Sequence, residues 1–262
     1  MKIAAWQAVG VAGDLPGNLQ RLAAAASSAR AEGADILVTP ELFSTGYAPA
    51  QVFDTDGEAI RAELADIARN ANLALVASTV DRDSDRRFIS ASFFDAEGTE
   101  RTRYRKSYLF GEEERSVFVP GSAAPEVVDY AGLRIALGIC YDVEFPEFVR
   151  GAARRGAEAL LIPTAVPTTG DVDGLPANRT YNADRISTLM VPCRAMENGI
   201  FIAYANHAGP DFTGLSCISG PHGNVLAQAE RGESMLFAHF DSAEVQRARR
   251  INTYLRDFRD DL

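Results

Sequence analysis

The sequence predicts an α/β protein in which helices cover a mixed β-sheet. Short apolar runs, typical of buried strands, alternate with helical patterns along much of the 262 residues. Two runs, residues 88–95 and 101–106, flank the turn sequence AEGT and indicate an antiparallel hairpin in the sheet. No linker-like composition divides the chain, so we expect one domain over residues 1–262, with residues 243–262 as a C-terminal arm.

The individual elements have recognisable boundaries. A first helix over residues 16–33 begins near Asp14 or Asn18 and ends at Gly33, as N-cap and C-cap preferences require. The further helices are predicted at residues 59–70, 145–155 (with Pro in the first turn) and 191–198, and the arm begins as a helix. The strands are predicted at residues 2–7, 35–39, 73–79, 88–95, 101–106, 134–140, 159–163, 200–206, 215–219 and 233–241.

Composition narrows the functional classes. The net charge of −10 disfavours nucleic acid and anionic membranes as partners. The N-terminus lacks the apolar core of a signal peptide, and no run approaches the ~20 apolar residues of a membrane span. Three widely spaced cysteines do not form a disulfide framework, which favours the cytoplasm as the compartment.

Three apolar runs end at residue types that can take part in catalysis. Glu41 follows the strand pattern DILVTP, Lys106 follows RTRYR, and Cys140 follows LRIALGI. Only two of the 26 basic residues are lysines, and Lys, unlike Arg, can exchange a proton. Ligands bind outside the carboxyl ends of strands in α/β sheets. If these strand ends converge, they supply a base, a cation and a nucleophile at one edge.

Such a set can cleave an amide or a nitrile. A free thiol is mostly protonated at neutral pH, and Glu41 can take its proton as Cys140 attacks the substrate carbon. Negative charge then develops on the carbonyl oxygen or the nitrile nitrogen. The ammonium of Lys106 and the backbone N–H of Tyr141 can stabilise it, and one such donor contributes about 3 kcal/mol.

Each residue also has a structural alternative. Cys140 can be a buried packing thiol, Glu41 a loop carboxylate, and Lys106 a solvated strand-end charge. We interpret Cys193 and Cys217 as core residues. A protease-like pairing of Cys140 with His207 stays open, although no sequence feature supports it. The chain has no HxH, HExxH or CxxC motif, which argues against a metal site.

The chain resembles the nitrilase superfamily of carbon–nitrogen hydrolases over nearly its whole length. The segments that carry the resemblance are PELFSTGY with Glu41, YRKSYLFGEEERSVFVPG with Lys106, and GICYDVEFPE with Cys140. The segments RGAEALLIPTA, CRAMENGIFIAYANHAG and GPHGNVLAQA support it. Within the superfamily the chain is most similar to bacterial aliphatic and stereoselective amidases.

The resemblance implies a four-layer αββα sandwich with two mixed sheets and a Glu–Lys–Cys triad that needs no cofactor. Members carry another catalytic glutamate seven residues before the glycine of a Pro-Gly pair, which is Glu114 when counted back from Gly121. Members also dimerise through the helix after the cysteine and the C-terminal segment. We therefore expect a homodimer or a higher homo-oligomer.

The functional expectation is an amidase that converts a small carboxamide to a carboxylic acid and ammonia through a thioester. The alternatives are a nitrilase, an N-carbamoyl amino acid amidohydrolase, or a catalytically silent binding or scaffold protein with the same fold. The chain departs from the family at Tyr108, where a histidine is common. The loop of residues 164–187 is longer than in similar amidases, and we expect the substrate-binding residues near it.

Overall fold

The computed structural model describes residues 1–168 and 180–259, which form two six-stranded sheets. The strands are β1 (Lys2–Gln7), β2 (Ile36–Val38), β3 (Ala74–Asp83), β4 (Arg86–Phe94), β5 (Glu100–Arg105), β6 (Val128–Tyr130), β7 (Leu133–Leu137), β8 (Ala159–Pro163), β9 (Phe201–Ala205), β10 (Cys217–Ser219), β11 (Val225–Gln228) and β12 (Ser234–His239). The helices are α1 (Leu15–Ala31), α2 (Pro49–Val52), α3 (Gly57–Ala71), α4 (Gly111–Val117), α5 (Pro146–Arg154), α6 (Val191–Asn198), α7 (Ser242–Ile251) and α8 (Tyr254–Asp257).

Both sheets are mixed. The first has the order β12-β1-β2-β3-β4-β5 and the second the order β11-β10-β9-β8-β7-β6. In each sheet three neighbouring strands run parallel, β1 to β3 in the first and β7 to β9 in the second, and the remaining pairs are antiparallel. The predicted α/β class with mixed sheets is confirmed, and the sheets number two, as the resemblance implied.

Alternation along the strands divides the core into layers. In β1, Ile3 and Ala5 belong to the cluster between the sheets, whereas Ala4 and Trp6 pack in the cluster beneath α1 and α3. On the far side of the second sheet, α5 and α6 bury small apolar residues such as Ala152 against it. From these contacts, the layers are helix, sheet, sheet and helix. They are stabilised by burial, since each large apolar side chain removed from water contributes about 1.5–3 kcal/mol.

Local signals explain the helix ends. The Asp14 carboxylate accepts a hydrogen bond from Gly17 N at the start of α1, as the predicted N-cap requires. Two residues end helices in the left-handed conformation, Asn72 after α3 and the predicted Gly199 after α6. Among the described helices, none is long and apolar enough to cross a membrane.

Two sequence predictions of strands were wrong in detail. The strand predicted at residues 134–140 ends at Leu137, and Cys140–Glu144 is a 3₁₀ helix because the Asp142 carboxylate accepts the Ile139 N–H and turns the chain. The turn PHGN joins β10 to β11, whereas the predicted strand at residues 233–241 became β12 beside β1. The missed strand β11 lies at an edge and is largely exposed, so it has no buried face to reveal it.

The loop predicted at residues 164–187 is described only at its two ends. Residues 169–179 lie outside the described part of the chain. Its second end leads into a turn of π-helix, Ile186–Met190, that continues as α6.

Candidate active site

The three strand ends singled out in the sequence meet at one place between the sheets. Glu41 follows β2 and Lys106 follows β5 in the first sheet, and Cys140 follows β7 in the second. Lys106 Nζ lies 2.8 Å from Glu41 Oε1. Cys140 is close enough that the charges of Glu41 and Lys106 both act on its thiol. The base, cation and thiol predicted from strand ends thus form one cluster.

Glu114, predicted only through the family resemblance, belongs to the same cluster. Its Oε1 lies 2.7 Å from Lys106 Nζ and accepts a hydrogen bond of 2.6 Å from the Tyr47 hydroxyl. Its Oε2 accepts the Phe110 N–H at 2.8 Å. The ammonium of Lys106 is therefore held between two carboxylates, and α4 carries the second one into the interior.

Burial makes the electrostatics of this cluster strong. Glu41, Lys106 and Glu114 are at most 1% exposed. Burial, followed by the neighbouring charge of Glu114, raises the pKa of Glu41 to about 8, although Lys106 opposes the rise. Burial also opposes the charge of Lys106, but Glu41 and Glu114 outweigh it and raise the pKa of Lys106. The lysine is therefore a fixed cation, and Glu41 can both accept and donate a proton near neutral pH.

Cys140 has an unusual backbone conformation, and its thiol keeps its proton. Cys140 has φ +41°, in the left-handed region that non-glycine residues rarely adopt. Such a conformation costs about 1–3 kcal/mol and is concentrated at functional sites. The Cys140 thiol donates to the Ala165 carbonyl at 3.4 Å, and burial raises its pKa well above the usual range. The resting side chain is therefore a neutral thiol.

Two hydrogen-bonding groups beside the thiol have unused capacity. Glu41 Oε2 is buried and has no hydrogen-bond partner among the described residues. Tyr141 lies in the first turn of the 3₁₀ helix, where backbone N–H groups lack partners within the helix. The first can accept a proton, and the second can donate to a developing negative charge.

Asp142 connects the elements that carry the lysine and the thiol. Its carboxylate accepts the N–H groups of Ser107, Tyr108 and Ile139 at 3.0–3.2 Å. Burial raises the pKa of Asp142 to about 7. The sequence did not indicate this role, because Ser107 and Tyr108 lie 35 and 34 residues away from Asp142 along the chain.

His207 is not placed as a proton acceptor for the thiol. Its Nε2–H donates to the backbone carbonyl of Glu41 at 2.6 Å, and burial lowers the pKa of His207 to about 4. The imidazole is therefore neutral and holds the Glu41 main chain. The Cys140–His207 pairing considered from the sequence is not formed. Cys217 is a fully buried core residue, as interpreted, whereas Cys193 on α6 is only half-buried.

A small pocket opens at the thiol. It contains ≈ 280 Å³ free of atoms, partly open to solvent. Its walls come from both described ends of the loop of residues 164–187, and the lining residues are Phe110, Cys140, Glu144, Ala165, Val166, Pro167, Tyr181, Ala183 and Ile186. A wider surface cleft of ≈ 1370 Å³ lies beside Asp81 and Arg105, but no cysteine or lysine lines it. We take the smaller pocket as the binding site because it contains the thiol.

Within residues 1–168 and 180–259, no group of three or more His, Cys, Asp or Glu side chains could hold a metal ion. The clustered carboxylates of Glu41 and Glu114 instead face the ammonium of Lys106.

Comparisons with known proteins agree with this geometry. The family model described as carbon-nitrogen hydrolase matches residues 2–250. The (R)-stereoselective amidase of a Pseudomonas species is 32% identical, with 99% of this chain and 92% of the relative covered. The citrullinase of Francisella tularensis is 33% identical, with 94% and 91% covered.

A solved structure shows similarity in three dimensions. It is a variant of the amidase from Nesterenkonia sp. AN1 that carries the product of Michael addition of acrylamide at its active-site cysteine. The two chains are 36% identical and superpose with a TM-score of 0.86 over 100% of this chain and 97% of that one.

Proposed function

The chain belongs to the carbon–nitrogen hydrolase family, and we propose that it is an amidase that converts a small carboxamide to a carboxylic acid and ammonia through a thioester on Cys140. The observation that carries the proposal is the Lys106 ammonium fixed between Glu41 and Glu114 next to a buried thiol. The chain is a hydrolase of carbon–nitrogen bonds other than peptide bonds.

In the first half of the reaction, Glu41 takes the thiol proton as the sulfur of Cys140 attacks the carbonyl carbon. The carbonyl oxygen becomes an oxyanion, which the Lys106 ammonium and the Tyr141 N–H stabilise. The carbon–nitrogen bond then breaks, and protonated Glu41 gives its proton to the leaving nitrogen. Ammonia departs, and the acyl group remains on sulfur as a thioester.

In the second half, water replaces ammonia. Glu41, again a carboxylate, takes a proton from a water molecule that Glu114 helps to orient, and the resulting hydroxide attacks the thioester carbon. The carbon–sulfur bond breaks, the acid product leaves, and the proton on Glu41 returns to the sulfur. The raised pKa of Glu41 suits a group that must accept and donate a proton in each half.

A second substrate class is supported by one relative. The citrullinase of Francisella tularensis has a name that denotes action on a ureido compound, and it is 33% identical to this chain. The same thiol chemistry would release ammonia from an N-carbamoyl group, or attack the carbon of a nitrile. Measuring ammonia release from amides, ureido compounds and nitriles in parallel distinguishes the three. Faster turnover of a ureido compound or nitrile than of every amide would replace the amidase proposal.

The nucleophile is tested by Cys140→Ala. We expect this change to lower amide turnover by about four orders of magnitude or more, since removal of a covalent nucleophile leaves only binding and charge stabilisation. The circular dichroism spectrum should remain that of the wild type. The matched control is Cys193→Ala on the half-buried face of α6, which should keep wild-type turnover. Retained hydrolysis in the folded Cys140→Ala variant would overturn the mechanism.

We also propose the assembly and compartment expected from the sequence. Residues 1–262 would form one domain with residues 243–262 as an arm, and the chain would act as a homodimer or higher homo-oligomer in the cytoplasm. Ile251 and Tyr254 of the arm expose 79% and 52% of their surface, which supports a partner there. Three free cysteines support a reducing compartment. Light scattering measures the mass, and a monomer would contradict the assembly.

A further inference from the structure

Glu144 is an ionisable pocket residue to which the proposed reaction gives no role. It ends the 3₁₀ helix that begins at Cys140, and its half-buried side chain lines the pocket at the thiol. A 3₁₀ helix rises about 2 Å per residue, so the Cα atoms of Cys140 and Glu144 lie about 8 Å apart along the helix axis. Apart from the reactive thiol and the Tyr181 hydroxyl, the other lining side chains are apolar.

Within residues 1–168 and 180–259, the carboxylate of Glu144 has no partner of opposite charge at ion-pair distance. Among the described residues, no hydrogen bond or ion pair within 4 Å reaches its side chain. Lys106 is engaged with Glu41 and Glu114.

Arg194, the other cation that acts on Glu144, has its hydrogen bonds directed elsewhere. Its guanidinium donates to the backbone carbonyls of Val143 and Glu144 and forms an ion pair with Glu197 at 3.2 Å. It therefore binds the main chain of Glu144 and does not pair with the carboxylate.

A carboxylate in an apolar pocket is costly to ionise, and the pKa values of Glu144 and Tyr181 reflect that cost. Burial raises the pKa of Glu144 to about 7, with Lys106 and Arg194 opposing the rise. The charge of Glu144 in turn contributes to raising the pKa of Tyr181 across the pocket, after burial. A cation that entered the pocket would recover part of this lost stabilisation.

We propose that Glu144 selects amides that carry an ammonium group on the acyl chain, and that it does so by pairing with that group while Cys140 attacks the carbonyl. This inference rests on the proposed amidase function. The spacing along the helix suits an ammonium group two or three carbons from the carbonyl carbon. The preferred substrate class is then short amino-carboxamides, ahead of neutral or anionic amides of the same size.

The first test compares substrates matched in size. The value of kcat/KM is measured for β-alaninamide, butanamide and succinamate at about pH 8, where Glu144 is ionised and an aliphatic amine is still largely protonated. For the wild type we expect the order ammonium, neutral, anionic. In Glu144→Gln the ratio of kcat/KM for β-alaninamide to that for butanamide should fall about tenfold to a hundredfold, the effect of a lost charged hydrogen bond.

The matched control is Glu147→Gln. Glu147 is an exposed carboxylate three residues further along the chain and does not line the pocket. This variant removes the same charge from the molecule and should keep the wild-type ratio. An equal loss of preference in both variants would mean that net charge, and not pairing in the pocket, sets the ratio, and would overturn the proposal.

A second readout does not depend on turnover. Cys140 is modified with a cationic and an anionic methanethiosulfonate of similar size, and the two rates are compared. The cationic reagent should react faster with the wild type, and Glu144→Gln should reduce that rate ratio. Equal ratios in the two proteins would overturn the proposal.

The outcomes separate this inference from the amidase proposal. Hydrolysis of butanamide at least as fast as β-alaninamide would refute the role of Glu144 and leave the amidase intact. Absence of hydrolysis of any amide would refute both the amidase and the selection that depends on it.

Discussion

Tyr47 is the residue that fixes the position of Glu114. Its hydroxyl donates to the oxygen of Glu114 that also contacts Lys106, and its ring packs edge-on against Phe212. A hydrogen bond to a charged group is worth about 1.5–3 kcal/mol. The orientation of Glu114, and of the water it would position, therefore depends on a side chain that does not itself react.

Tyr47→Phe tests this dependence. The variant keeps the ring and its packing but removes the hydroxyl, so we expect kcat for amide hydrolysis to fall about tenfold to a hundredfold, with a smaller change in KM. Steady-state kinetics give both values. Tyr130→Phe on the edge strand β6, which does not line the pocket at the thiol, is the control and should match the wild type. An unchanged kcat in Tyr47→Phe would show that Glu114 needs no such support.

Some of the site residues could be found from the sequence, and others could not. Glu41, Lys106 and Cys140 could be found from the sequence because each lies within three residues of the end of a strand, and apolar strands are visible in sequence. Tyr47 and Asp142 could not, since their contacts connect positions 67 and 34–35 residues apart. Such contacts depend on how loops fold over one another, and no local pattern encodes them.

At the scale of elements, α3 approaches β3 unusually closely. A Cβ atom at Gly57, the first residue of the helix, would lie 1.7 Å from the carbonyl oxygen of Val80. Real atoms do not come so near, so any larger residue must push the helix start away from the strand. The close approach also lets Arg61, one turn later, donate to that same carbonyl at 3.0 Å.

Gly57→Ala should therefore lower the free energy of unfolding by about 1–3 kcal/mol, the usual cost of overpacking. Urea denaturation followed by circular dichroism measures it. The control is Gly232→Ala, because a Cβ atom there meets nothing within 4 Å and the backbone is not left-handed. Equal stability of the two variants would mean that α3 can shift without cost.

Interior and edge elements differed in how well the sequence revealed them. The buried strands β1 and β8 were predicted with their observed bounds, because continuous burial gives a clear apolar pattern. Helix α6 was also predicted with its observed bounds, because Gly199 marks its end. The edge strand β6 has three residues with no fully buried side chain, and no strand was predicted there. Helix α4 reads as an acidic turn, since only Glu114 of its residues is buried.

At the scale of the whole molecule, the site exists only where the two sheets meet. The Glu41 N–H donates to the Thr164 carbonyl at the end of β8, so a residue of the first sheet is held by the second. His207, just beyond β9, pairs with Ala8 beyond β1 and donates to the Glu41 carbonyl. The sequence showed strands suited to one mixed sheet. The division into two facing sheets came from the family resemblance, because periodicity does not tell which sheet a strand joins.

The neutral state of His207 makes the stability of this junction depend on pH. The native imidazole has a pKa of about 4, below its usual 6.5, so the unfolded chain binds a proton that the native protein does not. The contribution of neutral His207 to the free energy of unfolding is complete above pH 6.5 and is lost as pH falls through about 4. The difference between these two pKa values corresponds to about 3 kcal/mol of unfolding free energy.

His207→Gln, which can still donate to the Glu41 carbonyl, should reduce the loss of unfolding free energy between pH 6.5 and 4. Urea denaturation at several pH values in this range measures the slope. His222→Gln, at an exposed turn, is the control and should keep the wild-type slope. A wild-type slope in His207→Gln would place the acid sensitivity elsewhere.

The buried, neutral thiol of Cys140 has a consequence for the durability of the enzyme. Peroxides oxidise thiolates, and exposed ones most readily. Cys140 is 4% exposed and keeps its proton at rest, so it presents little for an oxidant to attack. In the proposed mechanism it becomes nucleophilic when an electrophilic group occupies the pocket and Glu41 takes the thiol proton. The nucleophile is thereby protected from oxidative damage between one substrate and the next.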